Sequence, residues 1–241
     1  MDATRYMHDT GATRGELAMV AVKNRRHAAL NPLAQFREPL TLAEMLAQRM
    51  VVEPLGLYEV SPRSDGAAAI LLAREKIARA LGRPYVLVRG RGFYHEGARQ
   101  IAEVPNDMTA YQAAERAAAC AYAEAGITVS DLDFAEVYAP CTIVEVLVGE
   151  AIGLTKRGQG AQAAAAGETT LGGRMPICPS GGLLSRGHPP YVTPLYSMVE
   201  VVQQLRGQAG ERQVPGARLA VVTCELGNYN AALVHVLEGV V

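Results

Sequence analysis

Apolar and polar positions follow two periods along the chain, and the balance between them shifts near residue 65. Before that point the pattern is helical. Thr13 and Glu16 have the spacing of a capping box, in which each end satisfies the other's free backbone N–H. Leu17, Val20 and Ala21 then share one face, so a helix is expected over 13–29, stopped at Asn31-Pro32. Its later turns, Lys23 to Arg26, read as a solvated polar end. Thr41 and Glu44 repeat the cap and open a short helix ending near Met50.

After Asp65 short apolar runs alternate with amphipathic stretches. Strands are expected at 66–72, 85–93, 134–138, 219–224 and 231–237, the last two joined by Gly227-Asn228. Helices are expected at 74–81, 109–125, 142–152 and 198–205, with Gly82 and Gly126 as C-terminal stops. Gly158–Gly173, rich in Gly, Ala, Gln and Thr, reads as a flexible surface loop. Strands alternating with helices imply an α/β fold, a mixed five-stranded sheet with helices on both faces. A boundary falls near Val60-Ser61, giving an irregular helical segment at 1–60 and an α/β unit at 61–241, the first packed on the second.

Composition narrows the function class. The chain has 241 residues, 49% of them hydrophobic, and a net charge of −1. No run of Lys or Arg exceeds two residues, which argues against a nucleic-acid partner. No apolar stretch reaches the length of a membrane span, and the first residues lack an apolar leader core, so a cytoplasmic location is expected. Cys120, Cys141, Cys178 and Cys224 form no CxxC pair and no metal-ligand spacing. They read as small buried hydrophobes, Cys120 above all. Gly90-Arg91-Gly92 lacks the rest of a phosphate-binding glycine loop, and His95 and Glu96 have no metal-ligand partners.

The densest chemistry lies in Pro179-Ser180-Gly181-Gly182-Leu183-Leu184-Ser185-Arg186-Gly187-His188-Pro189. A histidine held between glycine and proline on a tight loop can serve as general base or donate to an oxyanion, while paired glycines let backbone approach a ligand. A loop histidine that merely bonds backbone is the alternative.

This string resembles the GGxxxxGHP block of thiolases, the sterol-carrier-protein type in particular. Ser64-Asp65-Gly66-Ala67-Ala68-Ala69 resembles the start of their C-terminal domain, and Val20 to Pro32 the segment where that subgroup leaves its loop domain. The resemblance runs from about Tyr6 to the C-terminus, and makes 1–60 a remnant of the loop region and 61–241 the C-terminal domain. It implies carbon–carbon bond cleavage or formation on an acyl-coenzyme A thioester, with coenzyme A as part of the substrate and no covalent cofactor or metal. It makes His188 a catalytic residue and Ser180, Gly181, Gly182 and Gly187 its substrate-binding neighbours. Lys23 and Arg25-Arg26 would be candidates for coenzyme A phosphates, set against the solvated helix end read above.

Three departures bear on mechanism. Tyr138 stands where thiolases carry His or Asn; it is either an acid/base of the site, as in thiolase-like aldolases, or a strand-end aromatic in the core. Cys224 precedes Glu225-Leu226-Gly227 in a CxxG rather than a CxG turn, and is either a catalytic thiol or a structural one. Pro190-Tyr191-Val192-Thr193-Pro194 replaces a small-residue string, an arrangement expected to narrow the pocket. The nucleophilic cysteine of thiolases belongs to an N-terminal half that nothing here resembles. Thiolysis or condensation, retro-aldol cleavage with Tyr138 and His188, and a non-catalytic subunit therefore all stand open. The resemblance implies an oligomer, homo- or hetero-, whose partner is a separate N-terminal half or a small coenzyme A-binding accessory protein.

Overall fold

The computed structural model describes residues 1–97, 107–227 and 229–240; Asn228 of the expected turn lies outside them. Helix α1 (Asp2–Thr10) leads to α2 (Arg14–Ala29) and α3 (Leu42–Ala47), followed by a hairpin of β1 (Met50–Val52) and β2 (Leu55–Gly56). Both expected capping boxes are present: Thr13 with Glu16 on α2 and Thr41 with Glu44 on α3. Then follow α4 (Glu75–Ala80), β3 (Tyr85–His95), α5 (Gln112–Ala125), β4 (Phe134–Glu136) and α6 (Thr142–Ala151). The chain closes with α7 (Gly160–Ala165), α8 (Gly182–Ser185), α9 (Thr193–Leu205), β5 (Leu219–Leu226) and β6 (Ala231–Val240).

The main sheet has four strands in the order β3-β6-β5-β4, with β4 parallel to β5 and the other pairs antiparallel. It is a mixed sheet between helical layers. Val221, Ala232, Val234 and Val236 face the core shared with α2, α5 and α6, while Phe134, Ala220, Val222 and Leu237 pack with Val201 and Leu205 of α9. Residues 1–60 join the first of these cores through Tyr6, Leu17, Val20 and Met45.

The fifth strand expected at 66–72 does not form. The segment carries no strand pairing, and Leu71 is 94% exposed. The outer edge of β3 stays unpaired among the described residues, so an apolar run beside an available edge does not by itself become a strand.

Three other expectations change. The stretch 158–173 holds α7, whose Gly160, Ala161, Ala163 and Ala164 are buried, so it is packed rather than a surface loop. Lys23, Asn24 and Arg25 are buried, not solvated. The Lys23 ammonium meets Glu145 and the Ile177 carbonyl, Asn24 donates to Glu145, and the Arg25 guanidinium lies 4.6 Å over the Phe36 ring. Cys120 is exposed, because the buried stripe of α5 runs through Ala113, Ala114, Ala117, Ala118 and Ala121 and leaves residue 120 outside it.

Gly90 and Gly92 lie inside β3 and have a packing role. A Cβ on Gly92 would fall 1.7 Å from the Ala117 carbonyl oxygen, and one on Gly90 would fall 2.1 Å from that of Ala121. The all-alanine face of α5 thus rests directly on bare strand backbone. Gly92→Ala is expected to push helix and sheet apart and lower stability by about 1–3 kcal/mol, the usual cost of overpacking. Urea denaturation checks this, and an unchanged midpoint would show that α5 yields freely.

Candidate functional site

Tyr138 lies two residues past the end of β4. The parallel pairing Glu136↔Val222, carried forward two residues, sets it level with Cys224 on β5. Its backbone N–H donates to the Thr223 hydroxyl at 3.2 Å, which fixes the chain as it leaves the sheet. Its phenol oxygen is 2.9 Å from His188 Nε2, with the rings edge to face.

His188 is held from three sides. Its Nδ1 is 2.9 Å from the Ser61 hydroxyl, and its carbonyl accepts the Ser64 N–H at 3.2 Å. Ser61 N–H in turn donates to the Pro140 carbonyl at 2.7 Å. Residues 60–64 therefore tie the turn after Tyr138 to the turn carrying His188. Gly187 has φ +130, a conformation that L side chains rarely adopt, and a Cβ there would crowd the Ser64 hydroxyl at 3.1 Å. Ser61 was not singled out from the sequence. Its only signal there is its place three residues before the Ser64-Asp65-Gly66 block.

The electrostatics favour neutral groups. Burial, with the Arg63 and Arg186 charges nearby, lowers the His188 pKa below the ordinary imidazole value. Burial and the neighbouring Cys224 and Glu225 raise Tyr138 above the ordinary phenol value. A neutral imidazole therefore faces a protonated phenol. Either the phenol donates to Nε2 while Nδ1–H donates to Ser61, or Ser61 donates to Nδ1 and Nε2–H donates to the phenol. Burial pushes the Cys224 thiol up to about 12 and Cys141 to about 11, and raises fully buried Cys178 as well. None of these three is a thiolate at neutral pH.

The expected site residues thus separate into two groups. His188, Tyr138 and Cys224 come together at the ends of β4 and β5. Ser180, Gly181 and Gly182 lie buried beneath α2. Ser180 N–H donates to Glu136, a Cβ on Gly181 would meet Ala28 at 2.6 Å, and Gly182 N–H donates to the Ser180 hydroxyl at 3.2 Å. Tyr191 does not narrow the site, since its ring is 97% exposed and α9 starts just after it with Pro194 in its first turn. A groove of about 900 Å³ lies elsewhere, between Thr10 and residues 153–174. No group of three His, Cys, Asp or Glu side chains among the described residues could hold a metal ion, and no helix there is long and apolar enough to cross a membrane.

The loop that delivers Ser180 and His188 is anchored by His27. The ring accepts the Leu171 N–H at Nε2 (2.9 Å), so Nδ1 carries the proton and donates to the Cys178 carbonyl at 2.9 Å. Burial, together with the Lys23 charge, pushes its pKa down to about 3.

Comparison with known proteins agrees with this architecture. A family model described as thiolase C-terminal domain-like matches residues 95–239. An acetyl-CoA acetyltransferase of Methanothermobacter thermautotrophicus is 38% identical over 239 residues, which are 99% of this chain and 62% of that protein. The benzoylsuccinyl-CoA thiolase subunit BbsB of Thauera aromatica is 36% identical over 92% of this chain and 57% of its own length. Human sterol carrier protein 2 is 34% identical over 90% of the chain and 40% of its own length. This chain therefore spans 40–62% of these three relatives. Among solved structures, the Ltp2-ChsH2(DUF35) aldolase superposes with a TM-score of 0.87 at 28% identity, covering 99% of this chain and 62% of that one. A monomeric SCP2-thiolase-like protein from Mycobacterium smegmatis shares the fold, with a TM-score of 0.71 at 21% identity, over 99% of this chain and 50% of its own.

The His27 anchor has a pH consequence with a definite sign. As pH falls below the ordinary value of 6.5, the unfolded chain takes up a proton at His27 that the folded chain refuses until about 3. Stability is therefore full above 6.5 and lost as pH falls through this window, by about 1.4 kcal/mol per pH unit for one proton. Urea titrations across the range, compared with His27→Gln, are expected to show that slope reduced in the variant. An equal slope in both would assign the acid sensitivity to other groups.

Proposed function

Since the chain belongs to the thiolase C-terminal domain-like family, we propose that it supplies the acid/base half of a site that cleaves a carbon–carbon bond in a β-hydroxyacyl-coenzyme A by retro-aldol chemistry. The observation that carries this reading is the 2.9 Å hydrogen bond between the Tyr138 phenol and His188 Nε2. Thiolysis needs a nucleophilic thiolate, which burial disfavours at Cys141, Cys178 and Cys224, so in a thiolysis reading an N-terminal half would have to supply it. A retro-aldol needs no nucleophile. It needs a base for the hydroxyl and an acid for the enolate.

In this mechanism the substrate hydroxyl gives its proton to the Tyr138 oxygen as the phenol proton passes to His188 Nε2. The alkoxide electrons become the new C=O π bond, the Cα–Cβ bond breaks, and its electron pair forms the thioester enolate. The imidazolium then returns its proton through Tyr138 to Cα, so both residues end as they began. The phenol alone would be a poor base, because its pKa is raised; the imidazole behind it gives the proton a place to rest. Ser61 holds the ring during both transfers.

The likeness to the Ltp2-ChsH2(DUF35) aldolase supports this reading, and the likeness to an acetyl-CoA acetyltransferase supports thiolysis or condensation as the second. We assign residues 61–241 to the C-terminal domain of this fold and 1–60 to its loop region. A protein partner is part of the proposal. Leu71, Leu72, Ile77 and Leu81 are exposed, as are Val88 and Phe93 on the edge strand β3 that α4 packs on, and exposed apolar side chains in this number suit an interface. The names of two similar proteins, a thiolase subunit and a two-protein aldolase, fit that expectation.

Tyr138→Phe and His188→Ala, assayed in the partnered enzyme, are each expected to lower β-hydroxyacyl-coenzyme A cleavage by about 10²- to 10⁴-fold. The double variant should be no worse than the poorer single one, because the two act as one relay. Release of the ketone product is the measurement. Acetoacetyl-coenzyme A thiolysis that survives in Tyr138→Phe would favour the second reading.

A further inference from the structure

Glu225, near Tyr138, is a buried carboxyl that the fold itself does not require. It is 4% exposed, and neither carboxyl oxygen meets a partner at good hydrogen-bond geometry within the described residues, although the Thr223 hydroxyl is near enough to favour its ionised form weakly. A buried carboxyl left in this state costs free energy that a leucine in its place would not. The strand around it explains its position but not its chemistry. Side chains on β5 alternate between faces, so Glu225 shares a face with Thr223, whose hydroxyl holds the Tyr138 backbone. Opposite it on β6 is Ala232, which offers no polar atom from its side chain. The carboxyl lies near enough to the phenol for its charge to act on it, at the end of β5 that is level with Tyr138.

We propose that Glu225 is a positioning residue that acts through Tyr138: its neutral, protonated carboxyl leaves the phenol free to exchange a proton with His188, and its ionisation withdraws the phenol from that exchange. The inference rests on reading Tyr138 and His188 as the working pair. Burial pushes the Glu225 carboxyl up to about 8, with the nearby Thr223 hydroxyl opposing the rise. At neutral pH it is thus mostly uncharged. Once ionised, it places a negative charge next to a group that must itself pass through a negative state when it releases its proton. The other titratable groups around the phenol are His188 with the Arg186 charge on its loop, Arg63 on the crossing segment, Cys224 on β5, and Tyr229 in the turn before β6. Cys224 and Tyr229 are both raised by burial, and His188 is lowered. The Glu225 value near 8 lies between the lowered His188 and the raised Cys224.

The test reads Tyr138 in the chain itself, without any activity assay. Tyrosine labelled with ¹³C at Cζ gives one resonance that disappears in Tyr138→Phe. In the unmodified chain this resonance is expected to shift with a single-proton midpoint near 8. In Glu225→Gln the inflection should vanish. Should the core reject the amide, Glu225→Met, apolar and similar in length, is the second variant and carries the same expectation. No inflection in the unmodified chain, or the same inflection in a folded Glu225 variant, overturns the proposal. In the partnered enzyme, retro-aldol turnover should fall about tenfold per pH unit above the same midpoint, and Glu225→Gln should flatten that limb. An enzyme that cleaves no β-hydroxyacyl-coenzyme A would refute the retro-aldol reading and leave the resonance experiment to decide on Glu225 by itself.

Discussion

The buried polar side of α2 is the constraint on which the rest of the molecule depends. A helix that hides Lys23, Asn24 and His27 from water must find partners for all of them, and each partner lies far along the chain. Glu145 on α6 takes Lys23 and Asn24, and the backbone at Leu171 and Cys178 takes the two nitrogens of His27. Those bonds clamp residues 168–181 against the sheet, and the chain then runs directly into the turn that carries His188. Removing one partner of the Lys23–Glu145 pair would strand a charge in the core, a larger penalty than any surface change would bring. The geometry of the site is thus set by a helix that contributes nothing to it directly.

Burial also sets the chemical character of the site. It raises carboxyl, thiol and phenol groups and lowers imidazoles, so Glu225, Cys224, Tyr138 and His188 all favour their uncharged forms. An arrangement of neutral acids and a neutral base suits the passage of a proton along short hydrogen bonds. It does not suit a standing thiolate. An ion pair, Arg186 with Glu136 at 3.4 Å, lies behind the histidine turn and ties α8 to β4.

Much of this was legible from the sequence, for identifiable reasons. Capping boxes are local, and both were found where Thr and Glu stand three apart. The strands near 85, 134, 219 and 231 were legible because each is apolar and flanked by turn residues. The run at 66–72 has the same look yet stays unpaired although the outer edge of β3 is free, and pairing is a tertiary fact that local pattern does not carry. Helix α1 escaped notice because only Ala3 and Tyr6 are buried along it, too few to set a period. The polar end of α2 looks solvated in sequence because charge alone cannot reveal that a distant loop will cover it. At the site, His188 and Tyr138 were legible through motif position. Ser61 and Glu225 were not, since their meaning comes from what the fold brings beside them.

The outward placement of Cys120 has a practical side. It projects from the far side of α5, away from the sheet and the histidine turn, whereas Cys178 is sealed in the core and Cys141 and Cys224 are partly covered. A thiol-reactive fluorophore used sparingly would enter there first. The chain therefore carries its own attachment point for a reporter dye, with Tyr138 and His188 left untouched.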